Sequence, residues 1–494
     1  MWCDCSAEDS LLAAMRQTIA VRDSGLFDYP LVDDNFKVRD VANEIISGLT
    51  SEDAFYIVDI GSIITKFELW KKHLPRVEPF YAVKCNETDC VLQLMATLGV
   101  GFDCASKGEI QKVKEFGVSA DRIIYANPCK SNSHLKAAAG AGVDLMTFDN
   151  DAELYKIKQV YPSARLVVRI RADADEAQCP LGIKFGADIQ VVPHLLAVAA
   201  NLGLNVVGVS FHVGSGCSDL AAFPRAIEAS RAIFDLASQM GFNFSLLDIG
   251  GGFPGGERSS AAFSQMASLI RLSLDEHFPE GSGVRLISEP GRFFVTSAFT
   301  LVTCIIGKRQ AKLESVKVNV DDGGDDNRGE DHPGNMYYVN DGVYGSFNCI
   351  LFDHQVVTAK LLHDYDEGTK LYQSSVWGPT CDSLDCILPK VTLPSLEIGD
   401  WVMWPDMGAY TVSAASTFNG FPKSVLHPVI PRSFRAMLKS CEDETDEIPV
   451  CSPRLRTLSS SCGLSLDMDL DDGKLSSVMD NIAYIFPFEI SIDV

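Results

Sequence analysis

From residue 54 to residue 289 the chain alternates short, nearly all-apolar runs with longer mixed ones. The short runs lie at 80–83, 101–105, 123–127, 145–149, 166–170, 206–212, 246–250 and 284–289. They are rich in β-branched and aromatic residues, too short for helices, and predict strands buried on both faces. Segments 87–98, 108–116, 132–141, 150–160, 190–203, 221–240 and 260–278 between them read as helices. Alternation of this kind implies parallel strands with helices packed outside. Eight units in about 220 residues predict a closed (β/α)8 barrel rather than an open sheet. An earlier run, 54–59, predicts a further strand leading into an amphipathic helix through Phe67, Leu69 and Trp70.

After Arg292 the rhythm changes. Runs at 299–302, 336–339, 356–358, 371–373 and 401–404 follow one another without long helices, which predicts an antiparallel β domain. The Gly-, Asp- and Asn-rich stretch 321–335 reads as a flexible loop, without the fixed ligand spacing of a metal site. The expected division is an N-terminal segment 1–50, frayed at first and then joining the β domain, a barrel 51–295, a β domain 296–440 and a tail 441–494. The tail carries 12 acidic against 3 basic residues and is expected to be disordered and dispensable for catalysis, with 482–492 the one stretch able to pack.

Composition narrows the classes. The 494-residue chain is 46% hydrophobic, enough for a packed core, and its formal net charge of -24 argues against nucleic acid or an anionic membrane as main partner. Its 15 cysteines lack CxxC spacing, which suggests free thiols in a reducing compartment and no zinc site. No basic-then-apolar leader and no run of membrane-spanning length is visible, so a soluble cytoplasmic protein is expected.

Barrel enzymes carry their sites at the carboxyl ends of the strands. Here those ends hold Lys84, Asp103, Asn127, Asp149, Arg169, His212, Gly250-Gly251-Gly252, Glu289 and Arg292. Taken alone, Lys84 reads as a paired structural lysine before a catalytic one. The glycines after strand seven let backbone N–H groups approach an anion, and Arg292 after strand eight can grip a phosphate. A lysine, a phosphate site and a carboxylate in one barrel mouth point to pyridoxal phosphate: the lysine forms a Schiff base, and Glu289 keeps the pyridine nitrogen protonated. His212 either stacks on the ring or is a satisfied strand-end histidine. Cys381, on a Gly-Pro turn, is either a proton donor or an inert thiol. Asp353 ends an apolar run, and paired carboxylates would suit a substrate ammonium.

The stretches PFYAVKCN, GFDCASK, FHVGSGC, DIGGGFPG, EPGRFFV, YYVNDGVYGSFNCILFDH, WGPTCDSLD and MGAYTVSAASTFNGF, in that order from about residue 25 to 425, closely resemble the eukaryotic ornithine decarboxylase family. The resemblance implies an alanine-racemase-like barrel with a C-terminal β domain, pyridoxal phosphate as cofactor, and decarboxylation of L-ornithine to putrescine. It implies that Lys84 carries the cofactor, with Asp103 and Arg169 beside it, His212 on the ring and Glu289 at the ring nitrogen. Ser215, Gly252, Gly291, Arg292 and Tyr410 would bind phosphate, with Gly250 and Gly251 in the same turn. Cys381 would protonate the α-carbon, and Asp353 and Asp382, with Phe352 and Phe418 nearby, would hold the distal amine. Phe352 stands where many relatives have tyrosine. In the family, Cys381 and Asp382 enter from the other subunit, so a homodimer with shared sites is expected. Antizyme is a possible partner through Lys130, Lys136, Lys156 and Lys158. The nearest alternatives are a lysine or arginine decarboxylase and an inactive antizyme-inhibitor-like protein; a racemase would need a catalytic tyrosine facing Lys84. No metal is expected.

Overall fold

The computed structural model describes residues 29–172, 182–310, 334–366 and 368–436, and the backbone alone at 177–179 and 311. The frayed start, the 321–335 loop but for its last two residues, and the tail lie outside the described residues.

Eight parallel strands close into a barrel in chain order: Val77–Ala82, Gly101–Cys104, Ile123–Tyr125, Leu145–Phe148, Arg165–Ile170, Asn205–Phe211, Leu246–Asp248 and Arg285–Ser288. The period of two along each strand sorts its side chains. Phe80, Ile124, Val167, Leu246 and Ile287 belong to one apolar cluster. Their neighbours Tyr81, Ile123, Tyr125, Leu166, Val168, Leu247 and Leu286 belong to another, shared with the helices. The first set fills the barrel interior and the second faces outward. Gly101 makes room inside: a Cβ there would stand 2.7 Å from the Phe80 ring.

The outer helices begin on polar caps. Ser106 and Asn150 accept from the N–H of Glu109 at 3.2 Å and of Glu153 at 2.9 Å, which sets where helices Lys107–Glu115 and Asp151–Val160 start. Trp70 of helix Ile60–His73 gathers Phe253, Phe263, Phe293 and Phe294 with ring centroids 4.9 to 6.1 Å away. This aromatic block anchors the loops after strands seven and eight, where the chemistry-bearing residues cluster.

The second sheet is mixed rather than purely antiparallel. Its order is Leu31–Val32, Val425–Pro431, Phe55–Asp59, Phe299–Ala311, Gly334–Val339, Leu371–Trp377 and Cys386–Pro394, with Trp401–Trp404 and Lys360–Leu361 branching from it. Three of its pairings are parallel, because strands distant in sequence return to it in the same direction. Two further expectations change. Phe55–Asp59 pairs with Phe299–Val302 and 425–429, so it belongs to this sheet and the barrel side begins at helix Ile60–His73, not at 51. Residues 356–358 form no strand: Val356 is 86% exposed beside His354, whose φ of 52° breaks the extended run, and pairing begins only at Lys360.

Candidate active site

Lys84 leaves the first strand in the short turn Val83–Cys85, between two buried neighbours. Its side chain is 41% exposed along the open barrel mouth, while protein groups surround the ammonium and its Nζ donates to Asp103 at the end of strand two. Burial opposes the charge, but Asp103 and Glu289 outweigh it and hold Lys84 above the usual lysine range. His212 ends strand six. Its Nδ1 accepts the Gly214 N–H at 3.0 Å. Burial, then the charges of Arg169 and Lys84, keep its imidazole well below the ordinary range, so it is neutral at neutral pH.

Strand seven supplies Asp248, whose Oδ1 accepts the Gly250 N–H at 2.8 Å. Burial pushes Asp248 up to about 6, and burial with Asp248 and Asp103 nearby pushes Glu289 well above the carboxylate range. The two titrate as a pair. Oδ1 of Asp103 and Oδ2 of Asp248 are buried without a hydrogen-bond partner in the protein. Three buried carboxyls crowd a small space, and this arrangement favours a proton-carrying or cationic group among them.

The triple glycine threads between strand ends. A Cβ on Gly250 would lie 2.0 Å from the Phe211 carbonyl oxygen, one on Gly251 2.9 Å from His212 Nε2, and one on Gly252 2.7 Å from the Gly214 oxygen. Gly250 and Gly252 also have φ of 64° and 120°, so side chains are excluded on both counts. Serine 288 and the Glu289 N–H donate to the Gly250 oxygen at 2.6 and 2.7 Å, which ties the seventh strand end to the eighth.

Beside this turn lies a second group. Arg292 donates from Nε and Nη2 to Ser215 Oγ at 3.1 and 2.7 Å, and from Nη2 to both oxygens of Asp353 at 2.7 and 2.9 Å. The Tyr410 ring lies 5.1 Å from the guanidinium carbon, and Tyr410 is held at φ 56° by its N–H on the Cys85 oxygen at 2.9 Å. Gly291 passes so near Cys85 that a Cβ would stand 2.8 Å from the Cys85 Cβ. Arg169 lies across the Phe185 ring at 5.5 Å.

Cys381 and Asp382, in the loop between strands Leu371–Trp377 and Cys386–Pro394, and Phe418, in a short turn before Val425–Pro431, share no hydrogen bond or ring contact with either group among the described residues. Tyr344 donates to Asp382 and stacks on Phe418 at 4.3 Å, and the Cys381 N–H donates to Asn419 Oδ1 at 3.1 Å. Cys381 and Phe418 are exposed, and Phe352 turns outward at 73% exposure although the next residue, Asp353, is buried. Among the described residues, no hydrogen bond, ion pair or ring contact links this exposed group to Lys84. Sequence reasoning missed Asp248, Tyr344 and Asn419 as members of these groups. An acidic residue ending a buried strand beside a triple glycine was a usable signal for Asp248; nothing local marks the other two. Lys130, expected on a partner surface, is fully buried against Glu153 at 2.9 Å, because its ammonium also caps the Thr147 and Asn127 carbonyls.

A lysine, a neutral histidine, a buried acid pair and an arginine-serine-glycine anion cradle at one barrel mouth define a site for a phosphate-bearing aldehyde. Residues 60–296 match the family described as pyridoxal-dependent decarboxylase, pyridoxal binding domain. The chain is 45% identical to ornithine decarboxylase of Rattus norvegicus over 92% of its length and 98% of that protein. It is also 45% identical to antizyme inhibitor 2 of Xenopus laevis over 90% of its length and 96% of that protein. Among solved structures, the arginine decarboxylase of Paramecium bursaria Chlorella virus matches at 37% identity with a TM-score of 0.72, covering 79% of this chain and all of that one. The chain belongs to the pyridoxal-dependent decarboxylase family. Its residues fit that family's cofactor: Lys84 offers an amine to an aldehyde, the buried carboxyls of Asp103, Asp248 and Glu289 with their two orphaned oxygens suit a protonated ring, and the glycine cradle beside Arg292 is a space that only side-chain-free residues leave open.

Proposed function

We propose that this protein decarboxylates L-ornithine to putrescine with pyridoxal phosphate, in a homodimer whose two sites are each completed by the partner, in the cytoplasm. Lys84 Nζ would hold the cofactor's carbon end, with Asp103 and Arg169 alongside and neutral His212 flat against the ring. Glu289, itself steadied by Asp248, would hold the ring nitrogen, and Ser215, the Gly250–Gly252 turn, Gly291, Arg292 and Tyr410 the phosphate. When bound, pyridoxal phosphate supplies an electron sink for the pair left behind as carbon dioxide departs. Asp103 and Glu289 keep the free Lys84 ammonium charged, so the lysine would hold a proton beside the reacting centre whenever it does not carry the cofactor. The Cys381 thiol gives its proton to the substrate α-carbon, and Asp353 with Asp382 grips the distal ammonium. The exposed Cys381 thiol and the half-buried Asp382 carboxylate, joined to nothing in their own barrel mouth among the described residues, support the shared-site reading; exposed Phe352 and the Tyr344–Phe418 stack would be covered by the partner. Antizyme, as a further partner, would meet exposed Lys136 and Lys158 but not Lys130.

The observation that carries the enzyme reading over a non-catalytic relative is the intact constellation of Lys84, His212 and Glu289 in electrostatic contact, with Arg292 bonded to Ser215 in the neighbouring group. The test is carbon dioxide release and chromatography of the amine formed from L-ornithine, L-lysine and L-arginine. Putrescine should dominate, although one methylene discriminates by only about 1–3 kcal/mol, so some lysine turnover is expected. A profile led by cadaverine or agmatine refutes the ornithine assignment. No carbon dioxide from any of the three, with cofactor bound, refutes the enzyme.

A further inference from the structure

Three carboxyls and two cations act on one another at this barrel mouth, which leaves one negative charge over. Asp103 and Lys84 form one ion pair. Arg169, near the end of strand five, is the cation left to act on Asp248. His212 is neutral, and the hydroxyls of Ser288 and of Ser210, the register partner of Asp248 on strand six, bring no charge. Asp248 and Glu289 therefore have one cation between them. They are 0% and 7% exposed, so water screens them little. Two adjacent carboxyls in such surroundings do not both ionise; one keeps a proton. The backbone fixes them side by side. Asp248 Oδ1 accepts the Gly250 N–H at 2.8 Å, and the Gly250 oxygen accepts the Glu289 N–H at 2.7 Å. Asp248 Oδ2 is buried with no hydrogen-bond partner among the described residues. For each carboxyl, the other is the ionisable group that acts on it most strongly.

We propose that Asp248 is a positioning residue that takes over a proton from Glu289: one proton rests on Glu289 in the unloaded protein and crosses to Asp248 Oδ2 when pyridoxal phosphate binds. This rests on the reading of Glu289 as the holder of the ring nitrogen. To accept a hydrogen bond from a protonated ring nitrogen, Glu289 must be an anion. The proton it gives up stays within the pair. The Glu289 O–H bond breaks, an O–H bond at Asp248 forms, and no proton is exchanged with solvent. Were that proton lost to solvent instead, two buried carboxylates would compete for one ring cation. Asp248 thus lets Glu289 carry a proton in the unloaded site and a negative charge in the loaded one.

The test is difference infrared spectroscopy of the full-length chain at about pH 8, above the value of about 7 to which Glu109 is raised, with pyridoxal phosphate as the probe. The C=O stretch of a protonated carboxyl reports the proton. In Asp248→Asn or Glu289→Gln the remaining carboxyl has the Arg169 charge to itself and ionises. The unloaded, unaltered chain should therefore show about one protonated carboxyl more than either variant. Adding pyridoxal phosphate should shift that band in frequency without loss, because the proton changes oxygens and stays. An Asp248 that only held the Gly250 N–H would add no such band. Equal bands in the unaltered chain and both variants overturn the inference, and so does a band lost on loading; either result leaves the proposed role of Glu289 standing. Should a variant fail to fold, the unaltered chain decides alone, since its band must be present at this pH and survive loading. If Glu289→Gln binds pyridoxal phosphate as tightly as the unaltered chain and with the same visible absorption, the reading of Glu289 fails and the inference fails with it.

Discussion

Replacing Glu153 by alanine should destabilise the protein by about 3–5 kcal/mol, the range for removing one partner of a buried ion pair. The side chains of Lys130 and Glu153 are 0% and 1% exposed and 2.9 Å apart. The Lys130 ammonium spends its other hydrogens on the Thr147 oxygen at 2.7 Å and the Asn127 oxygen at 3.1 Å. Glu153 also accepts the Lys130 N–H at 3.3 Å and pairs with Lys156. Without the carboxylate, Lys130 keeps two carbonyls but no counter-charge, and its N–H loses an acceptor worth about 1 kcal/mol. Lys156, 26% exposed, can turn to water and should add little. Urea unfolding at neutral pH, read as a shift in midpoint at constant slope, measures the loss. A pH arm sharpens it. Burial draws Lys130 below the lysine value of 10.5 while Glu153 pulls it back. The unfolded chain therefore binds the extra proton, and stability rises with pH between the folded value and 10.5. Removing Glu153 lowers the folded value further, so the destabilisation should shrink as pH rises toward 10. The double variant Lys130→Met, Glu153→Leu should recover most of the loss. A loss under 1 kcal/mol, or one indifferent to pH, would refute the reasoning.

Lys84→Ala and Cys381→Ala chains should each be nearly inactive alone. Mixed under demonstrated subunit exchange they should regain roughly a quarter of full activity, since about half the dimers are mixed and each holds one intact site; no regain would mean self-contained sites. Gly252→Ala should weaken pyridoxal phosphate binding about tenfold or more, because the new Cβ meets the Gly214 oxygen at 2.7 Å and strain of about 1–3 kcal/mol enters the cradle; an unchanged dissociation constant in a cofactor titration contradicts this. Burial raises Glu109 to about 7, so the stability it lends is full below about 4.5 and is lost as pH rises through 7. Glu109→Gln should flatten the pH dependence of unfolding across that window, and an unaltered profile would show the group titrates normally.

The barrel was legible in the chain because eight doubly buried strands must be apolar on both faces, and that leaves a plain signature. The strand ends were legible too: Lys84, Asp103, His212, Glu289 and Arg292 interrupt apolar runs, where a polar residue needs a reason. Sequence could also mark Gly250–Gly252 as a turn, but not that all three glycines pack against the end of the sixth strand and the residues just after it. Folding alone decided what lies far apart in the chain and close in space. Phe55–Asp59 falls by pattern within the barrel division 51–295, yet it pairs with 299–302 and 425–429 in the other sheet. Lys130 reads as one of a set of surface lysines, yet helix Asp151–Val160 brings Glu153 to it and buries both. Asp353 reads as a lone carboxylate ending an apolar run, and only the packing of helix Asn348–Phe352 against the eighth strand's loop gives it Arg292. Local pattern records which faces must leave water, and that fixes elements and their period. Charge partners are chosen by distance in space, which no local pattern along the chain records.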